Sequence, residues 1–595
     1  MHGLIAYTGP DANAGARITR ALATHRPSVA ASTNGRSVVA VHGAAATDAA
    51  VTRLSGDARG AVAHYGSVAT RCTAPVARLL DGDPDDVVAV GFDGDGRLVA
   101  AAGRGSHRLF VHPTADGGTW VSSSLDALRR VVPNLELDRS YEDFLLGFGF
   151  VPDPYSMYRD VRVVKAGTRV DIDADETSNV VPVAYTANAS TDRDSVVDAL
   201  YDALVETIAE QAGTHRRHAV LLGGFDSALV AAVLVGLGHE VETYTFRFDD
   251  PTYVQRNVDA LVAHLGISHH WVDFDSSVIA SNLRGFAGTF TQPGSQPHYQ
   301  IHTLHAARQI AADGHSHIFT GDGCDAIFLG YPTVSRRAAI SAATKKMSPA
   351  TTRLALRALS SGVAERRLGH VARMARGTLR NRLLDEIVGA HLPTHVFDAA
   401  ALARLRTSAP PAQREGVLEI RTRLAAGLDH LNRTQLAFNG NGLNGQSKVK
   451  VDGAVAATGV AQASPFMHAR LRTFVSGIPF EFLRSSGSTA SSAGKEVLVD
   501  MVRRRGLLPD LIIDQPKQSP SDSPVDGWYM GELRRDILDQ LSDLPFSWDR
   551  KYVEGLVAPK AAEAWYRKRV SLSHHTMQVI GLLTSYASFN RGTDT

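Results

Sequence analysis

The sequence predicts an α/β protein in two parts: a β-rich segment over residues 1–185 and, over 195–595, a doubly wound parallel sheet. Three observations predict this. Short apolar runs punctuated by turn residues fill the first part, with Asp93-Gly-Asp-Gly96 as a hairpin signal between two of them. From about residue 195, strand-like runs alternate with segments of helical spacing, the pattern of a parallel sheet flanked by helices. Two glycine turns rich in aspartate fall at the C-terminal ends of predicted strands, where ligands of such sheets bind. At 595 residues the chain also exceeds one ordinary domain.

In the first part, Ser37-Val-Val-Ala-Val41, Val87-Val-Ala-Val-Gly-Phe92, Leu98-Val-Ala-Ala101, Trp120-Val-Ser-Ser-Ser124 and Arg169-Val-Asp-Ile-Asp173 read as strands. Thr186 to Ser195 is polar and aperiodic and reads as a linker. Val196 to Gln211 then has helical spacing. Strands are predicted at Ala219 to Leu222, Glu242 to Phe248, His269 to Phe274 and His317 to Thr320, with a helix over Tyr253 to Leu265.

Composition narrows the function classes. Hydrophobic and charged fractions of 44% and 21% are those of a soluble globular protein, and a net charge of +1 demands no nucleic acid. Two cysteines, Cys72 and Cys324, exclude a disulfide scaffold and a cysteine-based zinc site and suit a reducing cytoplasm. The N-terminal residues lack the pattern of a signal peptide, and no stretch reads as a membrane span.

The first glycine turn is Leu221-Leu-Gly-Gly-Phe-Asp-Ser227, which leads into an Ala/Leu/Val helix. Gly223 and Gly224 let backbone approach a ligand, the helix start offers unpaired N–H groups to an anion, and Asp226 adds a hard oxygen for Mg²⁺. An ordinary strand–helix turn with Asp226 or Ser227 as N-cap fits the same residues. The second is Thr320-Gly-Asp-Gly-Cys-Asp325, where Asp322 and Asp325 follow an apolar strand beside Gly321 and Gly323. With Asp226 they could place oxygens around one Mg²⁺ carrying a polyphosphate.

Together these two turns resemble the motifs of the synthetase domain of asparagine synthetases, an ATP-pyrophosphatase fold. Val451 to Val460, Ser464-Pro-Phe-Met-His-Ala-Arg-Leu471, Gly494-Lys-Glu-Val-Leu498 and Leu508 to Lys517 extend the resemblance in order over about 195–540. Gly96 to Phe110 and Leu146 to Pro152 are similar to that family's glutamine-amidotransferase domain, an αββα Ntn-hydrolase-like sandwich. The glutaminase needs a Cys after the initiator Met. His2 stands there, which implies a degenerate amidotransferase domain and no glutaminase activity.

The resemblance implies ATP and Mg²⁺ as cofactors. Adenine would lie near Leu221, Thr245 and Phe246, and pyrophosphate on Gly223, Gly224 and Ser227; Leu222, Gly321 and Gly323 would also line the cofactor site. The metal would sit on Asp226 and Asp325. Lys517 would neutralise charge in the acyl-transfer step, and Lys495 would support the phosphates. Asp322 stands where β-lactam synthetases carry a catalytic Tyr, so a base role is open to it. Departures from the family pattern are Leu222 for Ser, Ala326 for Glu, Ala461 to Ala463 for Glu-x-Arg and His468 for Asp.

Branches that lost the Cys make lactams from an amine of the same substrate. Those acting on small molecules look like compact chains. Here the surplus lies between Asp325 and Val451, as a helical insertion over about 336–445. This suits a lasso peptide cyclase, which joins a peptide's N-terminal amine to an Asp or Glu side chain. Its partners would be a precursor core peptide, a leader peptidase and a leader-binding protein. A β-lactam or carbapenam synthetase-like enzyme and a noncatalytic homologue are the alternatives. Arg336 to Arg382 holds twelve Lys/Arg and one acidic residue, Glu365, suiting a surface that grips a peptide or a partner protein, nonspecific nucleic-acid binding, or a solvated helix face. Gly440-Asn-Gly-Leu-Asn-Gly445 matches a dinucleotide fingerprint as text but reads as a loop, and His264, His269, His270, His574 and His575 read as structural.

Overall fold

The computed structural model describes most of 3–179, then 192–330 apart from 214 and 250–256, part of 340–359 and a few single positions beyond it, and 448–591 apart from 484–493, 516–523, 546–547 and 558–573. Lys517, His2, Cys72, the loop 440–445 and most of the expected insertion 336–445 lie outside the described residues.

The first part is a pair of six-stranded sheets in which neighbouring strands pair antiparallel. Strands β1 (Gly3–Thr8), β2 (Ser28–Ala31) and β3 (Ser37–His42) belong to one sheet, and β4 (Thr52–Asp57), β5 (Gly60–Gly66), β6 (Val87–Phe92) and β7 (Leu98–Ala102) to the other. Strands β8 (Phe110–Pro113), β9 (Thr119–Ser122) and β10 (Arg162–Val163) complete the first, and β11 (Thr168–Asp171) and β12 (Glu176–Asn179) the second.

Period-2 alternation sorts the layers. In β1, Leu4 and Ala6 face a core shared with Val88, Val90, Leu98 and Ala100 of the second sheet. Ile5 and Tyr7 face the other way, into a core with Ile18 of helix α1 (Ala14–Ala21) and Leu128 of α2 (Leu125–Val131). Helices thus cover the outer side of the first sheet.

The expected linker is shorter than its polar composition implies. Asp192 caps helix α3 (Arg193–Ala212) by accepting from Ser195 N at 3.0 Å, so the last residues of the polar stretch already form a helix start.

The second part is a five-stranded, wholly parallel sheet: β13 (Arg217–Leu221), β14 (Glu240–Phe248), β15 (Ser268–Phe274), β16 (His317–Phe319) and β17 (Ala461–Ala463), in the spatial order β15-β14-β13-β16-β17. The order reverses at β13, so the strand after it in space, β16, is distant in sequence; the crevice beside β13 is where such folds bind ligands. Both faces are covered, as a parallel sheet requires. Val220 packs toward α3 and α4 (Phe225–Gly236), whereas Ala219, Tyr244 and Val272 pack on Ala306 and Ile310 of α7. For this numbering α5 is Val258–Leu265, α6 is Ser276–Arg284 and α7 is Pro297–Ala312. The short helix α8 (Cys324–Ile327) follows β16; α9 (Lys448–Thr458) leads into β17 and lies along α7. Helices α10 (Ala469–Ser476), α11 (Glu496–Arg505) and α12 (His574–Arg591) belong to the same part.

The two parts join through α12 and the segment before α7. Gln292 Oε1 accepts from Val151 N at 2.8 Å, and buried Tyr586 donates to Glu142 across the junction. Among the described residues, no helix is long and apolar enough to cross a membrane.

Candidate active site

Three segments meet beyond the C-terminal ends of β13, β16 and β17. The first is the turn after β13. Leu221 ends the strand half-buried, and Leu222 is buried in the core between sheet and helices with its N–H on Tyr244 O at 2.8 Å. The Leu at the head of the turn is therefore a core residue, which accounts for its apolar side chain where the family pattern has Ser. Ser227 Oγ accepts from Gly223 N at 2.8 Å and Gly224 N at 3.3 Å and donates to Gly224 O at 3.1 Å, so the turn closes on its own serine. An arriving phosphate would exchange with this hydroxyl for the two N–H groups.

The turn after β16 lies directly against the first. A Cβ on Gly321 would stand 2.7 Å from Asp226 Cβ and 2.7 Å from Ser227 N, so only glycine allows the two turns to touch. Gly323 begins α8, which carries Cys324 and Asp325. Cys324 is buried; burial first, then the neighbouring Asp226 carboxylate, pushes its thiol well up, so it is a neutral core group.

The third segment brings Lys495. Its Nζ is 2.6 Å from Asp226 Oδ1, 2.8 Å from Asp226 Oδ2 and 2.6 Å from Asp325 Oδ1. Its side chain is 8% exposed, so it is a buried charge and not a surface cation. Burial alone would lower its pKa, but Asp226 and Asp325 raise it well above the usual lysine value. The structure thus assembles Asp226, Asp325 and Lys495 from segments up to 269 residues apart.

Asp322 belongs to a second pair. Lys450, near the start of α9, holds both its carboxylate oxygens at 2.6 and 2.7 Å; Gln462 Nε2 donates to Oδ2 at 2.8 Å and Thr320 Oγ1 at 3.2 Å. Burial would push this carboxyl up, but Lys450 with the Gln462 and Thr320 hydrogen bonds holds it below the usual carboxylate range. An ionised carboxylate with its oxygens taken is a weak proton acceptor, so the arrangement suits Asp322 to holding Lys450 in place rather than to base catalysis. Sequence reasoning missed Lys450 and Gln462. Lys450 stands in Lys448-Val-Lys-Val-Asp452, an ordinary mixture of charged and apolar residues, so no local signal marked it.

The remaining expected residues divide. Thr245 is buried with its hydroxyl on Leu222 O at 3.3 Å, beside the turn after β13. Phe246 sits with Phe274 and His302 in an aromatic cluster, its ring 5.1 Å from that of His302. His269 and His270 are engaged with Thr243 and Glu242. The departures from the family pattern have local explanations. Ala326, Ala461 and Ala463 are buried, and His468 caps α10 by accepting from Arg470 N at 3.3 Å, a task an Asp also performs.

The donor set is chemically suited to Mg²⁺. Asp226 and Asp325 offer two hard oxygens converging on one point, with no imidazole or thiolate. Among the described residues no group of three or more His, Cys, Asp or Glu could hold a metal ion. Two carboxylates completed by phosphate oxygens and water are how Mg²⁺ is ordinarily carried on a nucleotide, so the residues fit.

A profile of the family described as asparagine synthase matches residues 199–587, more than half of the chain and all of the parallel sheet. A Mycobacterium tuberculosis protein, named provisionally as a glutamine-hydrolysing asparagine synthetase, is 25% identical over 241 residues, 38% of this chain and 36% of its own length; a Mycobacterium bovis protein of the same name matches equally. Asparagine synthetase 1 of Bacillus subtilis, also named as glutamine-hydrolysing, is 22% identical over 231 residues, 37% of this chain and 35% of its own. The chain therefore aligns with about a third of the length of these relatives. The matched span, the parallel sheet with its two abutting glycine turns, and the lysine between their aspartates agree: the chain belongs to the asparagine synthase family, a family of ATP-utilising amide ligases.

Proposed function

We propose that this protein is an AMP-forming lactam ligase of the lasso peptide cyclase type. The observation that carries the reading is the convergence of Asp226, Asp325 and Lys495 beside the turn after β13. ATP is the co-substrate, its polyphosphate on Gly223, Gly224 and Ser227 and its adenine toward Leu221, Thr245 and Phe246. Mg²⁺, held by Asp226 and Asp325, would screen the phosphate charge. A side-chain carboxylate of the core peptide attacks the α-phosphorus; a P–O bond forms and pyrophosphate leaves. The peptide's N-terminal amine then attacks the acyl carbonyl, forming the C–N bond; AMP leaves and the amine gives up a proton. Lys517 is assigned to the charge that develops on the carbonyl oxygen.

An internal amine fits the cysteine usage. The chain has two cysteines, and Cys324 is a buried neutral thiol at the ligase site, unsuited to glutamine hydrolysis. The length between Asp325 and Lys448 favours a peptide over a small acid. A leader peptidase and a leader-binding protein would deliver that peptide, in the cytoplasm.

The purified chain, given ATP, Mg²⁺ and the core peptide encoded beside its gene, should form AMP and a product lighter by one water. Asparagine from aspartate and ammonia would instead make it an ordinary member of the family. A small lactam from a free amino acid would favour the β-lactam synthetase-like alternative.

A further inference from the structure

Lys495 stands at the point between Asp226 and Asp325 where a divalent cation would be held. We propose that Lys495 is a resident counter-ion that closes this position to free divalent cations, so that metal enters only together with a nucleotide whose phosphates take over the ammonium. The proposal rests on the reading that Asp226 and Asp325 are the metal ligands.

Geometry makes the two cations exclusive. Nζ is 2.6 Å from an oxygen of each aspartate. Mg²⁺ requires those oxygens at about 2.0–2.1 Å, which leaves no room for an ammonium between them. The lysine is also held from behind. Its N–H donates to Phe328 O at 3.1 Å, and its backbone sits at φ 71° at the start of α11. A Cβ on Gly330 would stand 2.4 Å from both Lys495 Cε and Asp325 Oδ1, so the strand of chain after α8 closes over the pair.

Charge supplies the reason for the exchange. Two carboxylates and one ammonium leave this enclosed place at one negative charge. A bare divalent ion arriving alone must displace the ammonium from both carboxylates, on a side where the Phe225 ring lies 5.9 Å from Nζ. A metal arriving with ATP brings phosphate oxygens to the adjoining Gly223-Gly224 turn. The ammonium then moves from carboxylate to phosphate while the metal takes the carboxylates, and every charge keeps a partner.

The test uses Mn²⁺ in place of Mg²⁺ on the full-length chain, with the free-ion signal followed by electron paramagnetic resonance. Wild type should leave Mn²⁺ free without nucleotide and bind it with ATP. Lys495→Met should bind Mn²⁺ without nucleotide at least tenfold more tightly than wild type, and adding Asp226→Asn should abolish the gain. Mn²⁺ alone should raise the melting temperature of Lys495→Met and not that of wild type. Lys495→Arg keeps a cation and should, like wild type, leave Mn²⁺ free without nucleotide. Nucleotide-free binding by wild type as tight as with ATP, or no gain in Lys495→Met, overturns the proposal while leaving the metal-ligand reading intact. The wild-type comparison alone can overturn the proposal even where Lys495→Met does not fold. If neither wild type with ATP nor Lys495→Met binds Mn²⁺, the aspartate pair is not the metal site and both fall.

Discussion

Acid should loosen the parallel-sheet half through two histidines far from the nucleotide end. His218 opens the buried part of β13 and His317 begins β16; they are 1% and 3% exposed. His218 Nε2 bonds His215 O at 3.1 Å and His317 Nδ1 bonds Ser316 Oγ at 2.8 Å, while His218 Nδ1 and His317 Nε2 have no hydrogen-bond partner. A second proton on either ring would be buried without an acceptor. His239 and His215 also face them, with ring centroids 4.8 Å away in each case. Burial, then the neighbouring imidazoles, push His218 down to about 4 and His317 to about 3. Both values lie below the unfolded value near 6.5, so the unfolded chain binds more protons in acid, and stability is lost as pH falls through 6.5. Between pH 7 and pH 5 each histidine withdraws about 2 kcal/mol, at about 1.4 kcal/mol per pH unit per group. The pair together withdraws about 4 kcal/mol, a large share of a typical stability of about 5–15 kcal/mol. Urea midpoints of wild type and the double variant His218→Gln, His317→Phe, compared from pH 8 to pH 5, measure it. The variant should show a flatter pH dependence. Parallel pH profiles would refute the reasoning.

Gly321→Ala should drive the two glycine turns apart and lower ATP–pyrophosphate exchange by about a hundredfold, the scale of an ångström misplacement in an active site, with the fold intact by circular dichroism. Lys450→Met and Asp322→Asn, combined in a double-mutant cycle of unfolding, should show coupling of about 2 kcal/mol; removing one partner of a fully buried pair costs about 3–5 kcal/mol, and both side chains here are 23% exposed. Additive effects would show that the pair does not hold α9 to the second turn. Tyr586→Phe removes the buried donor to Glu142 between the two parts and should cost about 1.5–3 kcal/mol, read as a lower melting temperature and faster proteolysis at the junction.

Much of the fold was legible in local pattern. The strands at Val87–Phe92 and Leu98–Ala102 and the four strands from β13 to β16 follow from apolar runs bounded by turn residues, because strand and turn chemistry act over a few neighbours. The fifth strand, β17, was not legible. Ala461-Gln-Ala463 carries no β-branched residue, and it is a strand because it pairs with His317 to Phe319. The polar stretch Thr186 to Ser195 misled at its end, where Asp192 acts as a helix cap. Lys450 was invisible as a site residue because its partner Asp322 is 128 residues away.

By itself the sequence determined the alternation that makes a parallel sheet, the two glycine turns at its C-terminal ends, and the aspartates Asp226, Asp322 and Asp325 within them. Those depend on period, turn propensity and residue type, all local properties. The tertiary structure alone decided which cation meets which carboxylate. Lys495 goes to Asp226 and Asp325, and Lys450 goes to Asp322. The pairing of these charges depends on which segments the sheet order brings together, and that order places β16 (His317–Phe319) beside β13 (Arg217–Leu221) and β17 (Ala461–Ala463) beside β16, each pair far apart in the chain.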